Sequence, residues 1–272
     1  MSALAANTTG NNNIAVGATA GAAITTGSSN TVVGQNALQA TTTASNNTAI
    51  GLNSLYTNTT GATNVAVGKD SMLLNTTGAD NAALGTESLR ANTTAANNTA
   101  MGYRALCANT TGTANVAVGT TALDANTTGS NNSAFGRNAL GSNTTGGTNS
   151  AFGGNALNAN TTGSLNTAVG YQALASNTSA QYNSALGYNS LVENTTGQEN
   201  TGVGYSSLDA NTTGSNNTSL GSQALGSNTT ASNNTAIGKK SLFANTGTNN
   251  VAVGVSSLEC NIGGANNTAH GS

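Results

Sequence analysis

Asn149-Ser150-Ala151-Phe152-Gly153-Gly154-Asn155-Ala156-Leu157-Asn158-Ala159-Asn160-Thr161-Thr162-Gly163-Ser164-Leu165 is followed at once by Asn166-Thr167-Ala168-Val169-Gly170-Tyr171-Gln172-Ala173-Leu174, which restates it. The offset between the two is 17 residues, and in both directions the same frame continues. Glycine recurs at Gly17, Gly34, Gly51, Gly68, Gly85, Gly102, Gly119, Gly136, Gly153, Gly170, Gly187, Gly204, Gly221, Gly238, Gly254 and Gly271. Only the step from Gly238 to Gly254 is 16 residues, because Asn245-Thr246-Gly247 has one threonine fewer than the usual Asn-Thr-Thr-Gly.

Aligned on that glycine, the repeats read Asn-Thr-Ala-Val-Gly-x-x-Ala-Leu-x-Ala-Asn-Thr-Thr-Gly-x-x. Asparagine stands four residues before the glycine in every unit: Asn13, Asn30, Asn47, Asn64, Asn81, Asn98, Asn115, Asn132, Asn149, Asn166, Asn183, Asn200, Asn217, Asn234, Asn250 and Asn267. The residue just before the glycine is bulky and apolar, as in Val16, Ile50, Phe135 and Leu220, until His270 in the last unit. Alanine predominates one position earlier; three residues after the glycine comes Ala or Ser, and then Leu except at Gly21 and Met72.

A 17-residue unit is too short for a helical repeat, which needs roughly 33 residues or more. It suits one coil of a parallel β-solenoid: two short strands and two turns, with β-favouring Thr, Val and Ile before the glycine. Asn-Thr-Thr-Gly supplies turn residues that tolerate positive φ. The expectation is an all-β parallel β-solenoid, or β-roll, of sixteen coils in a single repeat domain over 1–272, with the short coil at 239–254. At a rise of roughly 4.8 Å per coil, that is a rod of about 75 Å.

Composition agrees. The 272 residues include only 14 charged side chains, 35 glycines, and neither proline nor tryptophan. Soluble domains carry about 25% charge. In a solenoid each charge would face its copy one coil away, and like charges at ~4.8 Å repel by about 1 kcal/mol in water and about 3.5 at an effective dielectric near 20. Asn and Thr columns instead hydrogen-bond along the stack. Glu87 and Arg104 should stack as opposite charges, whereas Asp70 and Glu87 make an unfavourable pair.

Side chains alternate along a strand, yet Ala and Val before the glycine are both apolar, and so are Ala and Leu after it. One column of each pair then lines a thin interior while the other faces other chains. The small columns fit the interior better, although the reverse assignment uses the same pattern. Burying the outer columns points to a homotrimer; uncapped strand edges point instead to end-to-end filaments.

Asn166-Thr167-Ala168-Val169-Gly170-Tyr171-Gln172-Ala173-Leu174-Ala175 resembles the head repeat of YadA-like trimeric autotransporter adhesins, and the Asn-Thr-Thr-Gly style resembles the repeat shafts of phage tail fibres and bacterial fibre proteins. The resemblance extends over all the units. It implies a left-handed β-roll, a homotrimer, and a role in adhesion or as a fibre shaft. The unit here is about three residues longer than the adhesin repeat, and the excess falls in the Asn-Thr-Thr-Gly turn, expected to bulge outward. No membrane anchor, coiled-coil stalk or chaperone domain is read in the chain.

Catalytic, cofactor-binding and metal sites are not expected. Gly238-Lys239-Lys240-Ser241 lacks the earlier glycine of a phosphate loop, and Gly202-Val203-Gly204 lacks the third glycine of a dinucleotide motif. His270 is the single histidine. Cys107 and Cys260 lie nine coils apart and should remain unpaired within one rod, since a disulfide needs Cα atoms within about 7 Å. A net charge of −2 offers no basic footprint for nucleic acid, and no apolar run is long enough to insert in a membrane. Met1-Ser2-Ala3-Leu4 has no signal-peptide character. Tyr103, Tyr171, Tyr188 and Tyr205 follow the repeat glycine, the last three in consecutive coils. They predict an exposed stripe that either binds glycans or protein receptors by stacking or only stiffens the rod. The reading is therefore a non-enzymatic fibre shaft or surface adhesin, extracellular, on a cell surface or on a virion. The alternative is an ice-binding solenoid presenting Thr and Asn ladders.

Overall fold

Three residues per repeat, those between the asparagine and the glycine, form a β-strand. The computed structural model describes residues 2–271 and has no helix among them; Met1 and Ser272, the ends of the expected repeat span, lie outside the described residues. Two units emerge, 1–132 and 133–272. In the first, β1 (Ile14–Val16), β2 (Thr31–Val33), β3 (Thr48–Ile50), β4 (Val65–Val67), β5 (Ala82–Leu84), β6 (Thr99–Met101) and β7 (Val116–Val118) pair in chain order, all parallel. In the second, the same order joins β8 (Ser133–Phe135), β9 (Ser150–Phe152), β10 (Thr167–Val169), β11 (Ser184–Leu186), β12 (Thr201–Val203), β13 (Thr218–Leu220), β14 (Thr235–Ile237), β15 (Val251–Val253) and β16 (Thr268–His270). The register is one repeat per strand, as in Thr48↔Val65. The chain is thus an all-β parallel β-solenoid.

The glycine that ends each strand but the last is required twice over. Gly85 has φ +136°, and a Cβ on it would lie 2.5 Å from the carbonyl oxygen of Gly102 in the next coil. Neither the backbone conformation nor the approach of the neighbouring chain accommodates a side chain.

Beyond the glycine, the expected second strand is absent. The chain turns instead through two left-handed residues, for example Asn53 (φ 55°) and Leu55 (φ 50°), and a third precedes the ladder asparagine, as at Asn46 (φ 61°). The left-handed positions lie here, and not in Asn-Thr-Thr-Gly: Gly61 and Gly78 are outside the positive-φ region. Their smallness serves close approach, since a Cβ on Gly61 would be 2.2 Å from the Gly78 carbonyl oxygen.

This left-handed wall overturns the assignment of leucine to the outside. On the strand wall the small column is interior: Ala49, Ala66 and Ala168 are fully buried while Ile50 and Leu84 are exposed. On the other wall Ala105 and Leu106 are both fully buried. A left-handed leucine does not follow strand alternation, so its side chain turns inward beside its neighbour. The conformation costs about 1–2 kcal/mol per residue, and burying the side chain returns about 1.5–3. The position holds no β-branched residue, for which positive φ is most unfavourable. At Gly21 the leucine is lost, and Ile24 fills the space: its Cδ1 would be 2.9 Å from a Cβ built on Gly21.

Candidate functional site

Amides make up much of the interior. Asn64 donates its backbone N–H and its Nδ2 to Asn47 Oδ1, at 3.0 and 3.3 Å, and a further Nδ2 bond to the Gly78 carbonyl at 2.9 Å. The backbone bond recurs from coil to coil, as at Asn98, Asn183 and Asn217. Of the ladder asparagines, Asn30, Asn47, Asn64, Asn81, Asn98, Asn115, Asn132, Asn149, Asn166, Asn183, Asn200, Asn217, Asn234 and Asn250 are buried; Asn13 is half-buried and Asn267 exposed.

A second ladder was not singled out in the sequence. From Asn58 to Asn245 the asparagine of the Asn-Thr-Thr-Gly turn is also buried, so the turn does not bulge outward as a whole; its threonines face solvent. Asn75 Nδ2 donates to Asn58 Oδ1 at 2.8 Å and to the Gly78 carbonyl at 3.0 Å. The Gly78 oxygen therefore accepts one amide from each ladder and ties them together. The first threonine is also engaged, as Thr76 Oγ1 donates to the Thr93 carbonyl at 3.0 Å.

Two kinds of apolar surface remain outside. One is the column preceding the glycine: Leu84, Met101, Phe135, Phe152, Leu186 and Leu220 are all exposed. Phe135 and Phe152 stack with centroids 4.9 Å apart. The other is the tyrosine stripe. Tyr171, Tyr188 and Tyr205 are 45%, 48% and 56% exposed. Their rings stack in sequence at 5.7 and 5.6 Å, with interplanar angles of 18° and 8°. Beside them, Asn189 Oδ1 is buried without a hydrogen-bond partner.

Charges pair locally. Arg104 meets Asp124 through both Nε and Nη2 at 3.3 Å, in place of the expected Glu87. That hydrogen bond, reinforced by the Asp124 charge, raises the guanidinium pKa. Asp70 accepts from Asn53 Nδ2 at 2.9 Å and has Lys69 at 3.8 Å. Burial pushes the Cys107 thiol up, and burial likewise raises the Asp209 carboxyl. Cys107 is buried, Cys260 exposed, and both are free thiols. Among the described residues there is no enclosed pocket and no cluster of three metal-ligating side chains. No helix there is long and apolar enough to cross a membrane.

Fold and surface together define a class: a tandem-repeat parallel β-solenoid with amide ladders inside and ordered apolar columns outside. No protein family matches the chain, and no curated protein matches it significantly.

Proposed function

We propose that the protein is a structural and interaction protein, the shaft or adhesive surface of a fibre on a cell or virion, assembled as a homotrimer. The exposed bulky column on the strand wall carries this reading. Monomeric proteins rarely leave extended apolar patches open, and here Val, Leu, Ile, Met and Phe recur on one face in coil after coil. Burying that column between chains accounts for bulky residues there and alanine on the inner side. Repeat stacking adds length without enlarging the core, which suits reach and stiffness.

Light scattering on the purified chain tests it: the expected mass is three times 26.3 kDa. Replacing Phe152 and Val169 with glutamate should give a folded monomer. A wild-type chain that is stable and monomeric overturns the trimer. Electron micrographs distinguish discrete fibres from end-to-end filaments.

The outermost threonines, such as Thr60, Thr77 and Thr94, are exposed in most coils and support the second reading, an ice-binding face. Against a two-column hydroxyl lattice, the adjacent Thr59 and Thr76 hydroxyls already donate to backbone carbonyls. Thermal hysteresis measured on the wild-type chain decides this reading.

A further inference from the structure

Face-to-face stacking determines which tyrosine surfaces are free. Tyr188 has a ring on each side, so only its edge and hydroxyl reach solvent. The stack as a whole has two ends, and they differ. Past Tyr205 the column continues with Ser222; before Tyr171 it holds Gly154. A Cβ built on Gly154 would lie 3.4 Å from Tyr171 Cδ2 and 3.6 Å from Cε2, ordinary van der Waals contact. A larger side chain there would continue the stack and cover the ring.

The backbone does not call for glycine at this point. Gly154 is not in the left-handed region, and the same column holds Tyr, Lys, Arg, Thr and Leu in other coils. Its effect is to interrupt the column of side chains, so that Tyr171 has only the Gly154 backbone beside it on this side. On the far side of the gap the column resumes with Arg137, which is exposed. Amide side chains flank it, with Asn138 Nδ2 bonded to Asn155 Oδ1 at 3.1 Å.

We propose that this gap is a saccharide subsite, in which a pyranose ring takes the place of the missing side chain. Its apolar C–H face lies on Tyr171, and its hydroxyls meet Arg137 and the amides of Asn155 and Gln172. A pyranose uses both features, whereas a flat aromatic ligand leaves the amides idle. The site is open-sided and one ring deep, so it takes a sugar of an exposed glycan chain and gains strength from repeated copies in an assembly. This deepens the adhesive part of the proposed function and rests on it.

Saturation-transfer NMR on the full chain tests the subsite, with lactose, maltotriose, diacetylchitobiose and sialyllactose as probes and p-cresol as the aromatic comparison. The expected result is transfer to pyranose ring protons of at least one sugar. That binding should weaken by about tenfold or more in Gly154→Tyr and in Tyr171→Ser, and remain in Tyr205→Ser. Tyrosine is already the residue of this column in the next three coils, so Gly154→Tyr should leave the far-ultraviolet spectrum unchanged. Transfer to no sugar, transfer to p-cresol alone, or unaltered sugar binding by Gly154→Tyr overturns the proposal. Mass measured on the same samples separates the two readings. A monomer that binds sugar overturns only the trimer, and a trimer that binds none overturns only the subsite.

Discussion

The two walls of each coil solve the same packing problem in opposite ways. On the strand wall, extended backbone alternates the side chains, so a small residue faces inward and a bulky one outward. On the left-handed wall, positive φ at two nearby residues cancels the alternation, and alanine or serine and leucine both turn inward. The large apolar side chains of the interior come from the left-handed wall. The strand wall is left with the apolar surplus, the face that the proposed assembly would bury.

The corner glycine separates the walls, and replacing it should break both. Gly85→Ala combines left-side φ with backbone overlap and is expected to cost on the order of 4 kcal/mol or more, read as loss of cooperative thermal unfolding. Next in size is the contrast between the walls themselves. Leu157→Ala should cost about 2–5 kcal/mol at any protein concentration. Leu186→Ala, on the strand wall and 50% exposed, should cost about 0.5 kcal/mol or less in the isolated chain. Its cost should grow with concentration where the column is buried between chains, and denaturant titrations at two concentrations measure this. Equal costs for the two leucine variants at low concentration would erase the distinction between the walls.

Breaking a ladder should have an intermediate effect. Asn75→Ala removes the donor to Asn58 Oδ1 and the acceptor for Asn92 Nδ2, and each orphaned buried group costs about 1–3 kcal/mol. Hydrogen exchange should then rise in the neighbouring coils, while an exposed threonine variant such as Thr77→Ala leaves it unchanged.

The smallest effect concerns Asp209. Burial raises its folded carboxyl pKa above the unfolded value, so the folded state holds the proton more tightly. Its unfavourable contribution is therefore absent at pH below the unfolded pKa and develops as pH rises through the folded one. Asp209→Asn should slightly raise the melting temperature at neutral pH and leave it unchanged in acid; an equal change at both pH values overturns the assignment.

Much of this was readable in the residues. The glycine recurrence marks the register, and Thr-Ala-Val before it marks the strand, because β-branched and small residues at period two mean one buried face. The left-handed wall was harder to see. Alternation presupposes extended backbone, and leucine is an uncommon resident of positive φ. The signal lay in the flanking positions: Asn36, Asn53, Asp70 and Asn138 two residues after the glycine, and Asn12, Asn46, Asp80 and Asn97 five before it, are residue types that tolerate that conformation. The second amide ladder was hidden by its context, since Asn-Thr-Thr-Gly reads as a solvated turn. Only three-dimensional stacking shows its asparagine turned inward. The tyrosine stripe was legible as a column, but not that stacking uses up its inner faces. That depends on ring orientation, which spacing does not encode.

The short coil carries a consequence of its own. With one threonine missing, Asn245 still donates to the Gly247 carbonyl at 2.7 Å and accepts from Asn261 at 2.8 Å. The other ladder persists from Asn234 to Asn250 at 3.2 Å, and Thr235 still pairs with Val251. The amides on either side, and not the length of chain between them, keep successive coils in step. The threonine corner is therefore slack: its length can change by a residue while the rungs above and below keep their places.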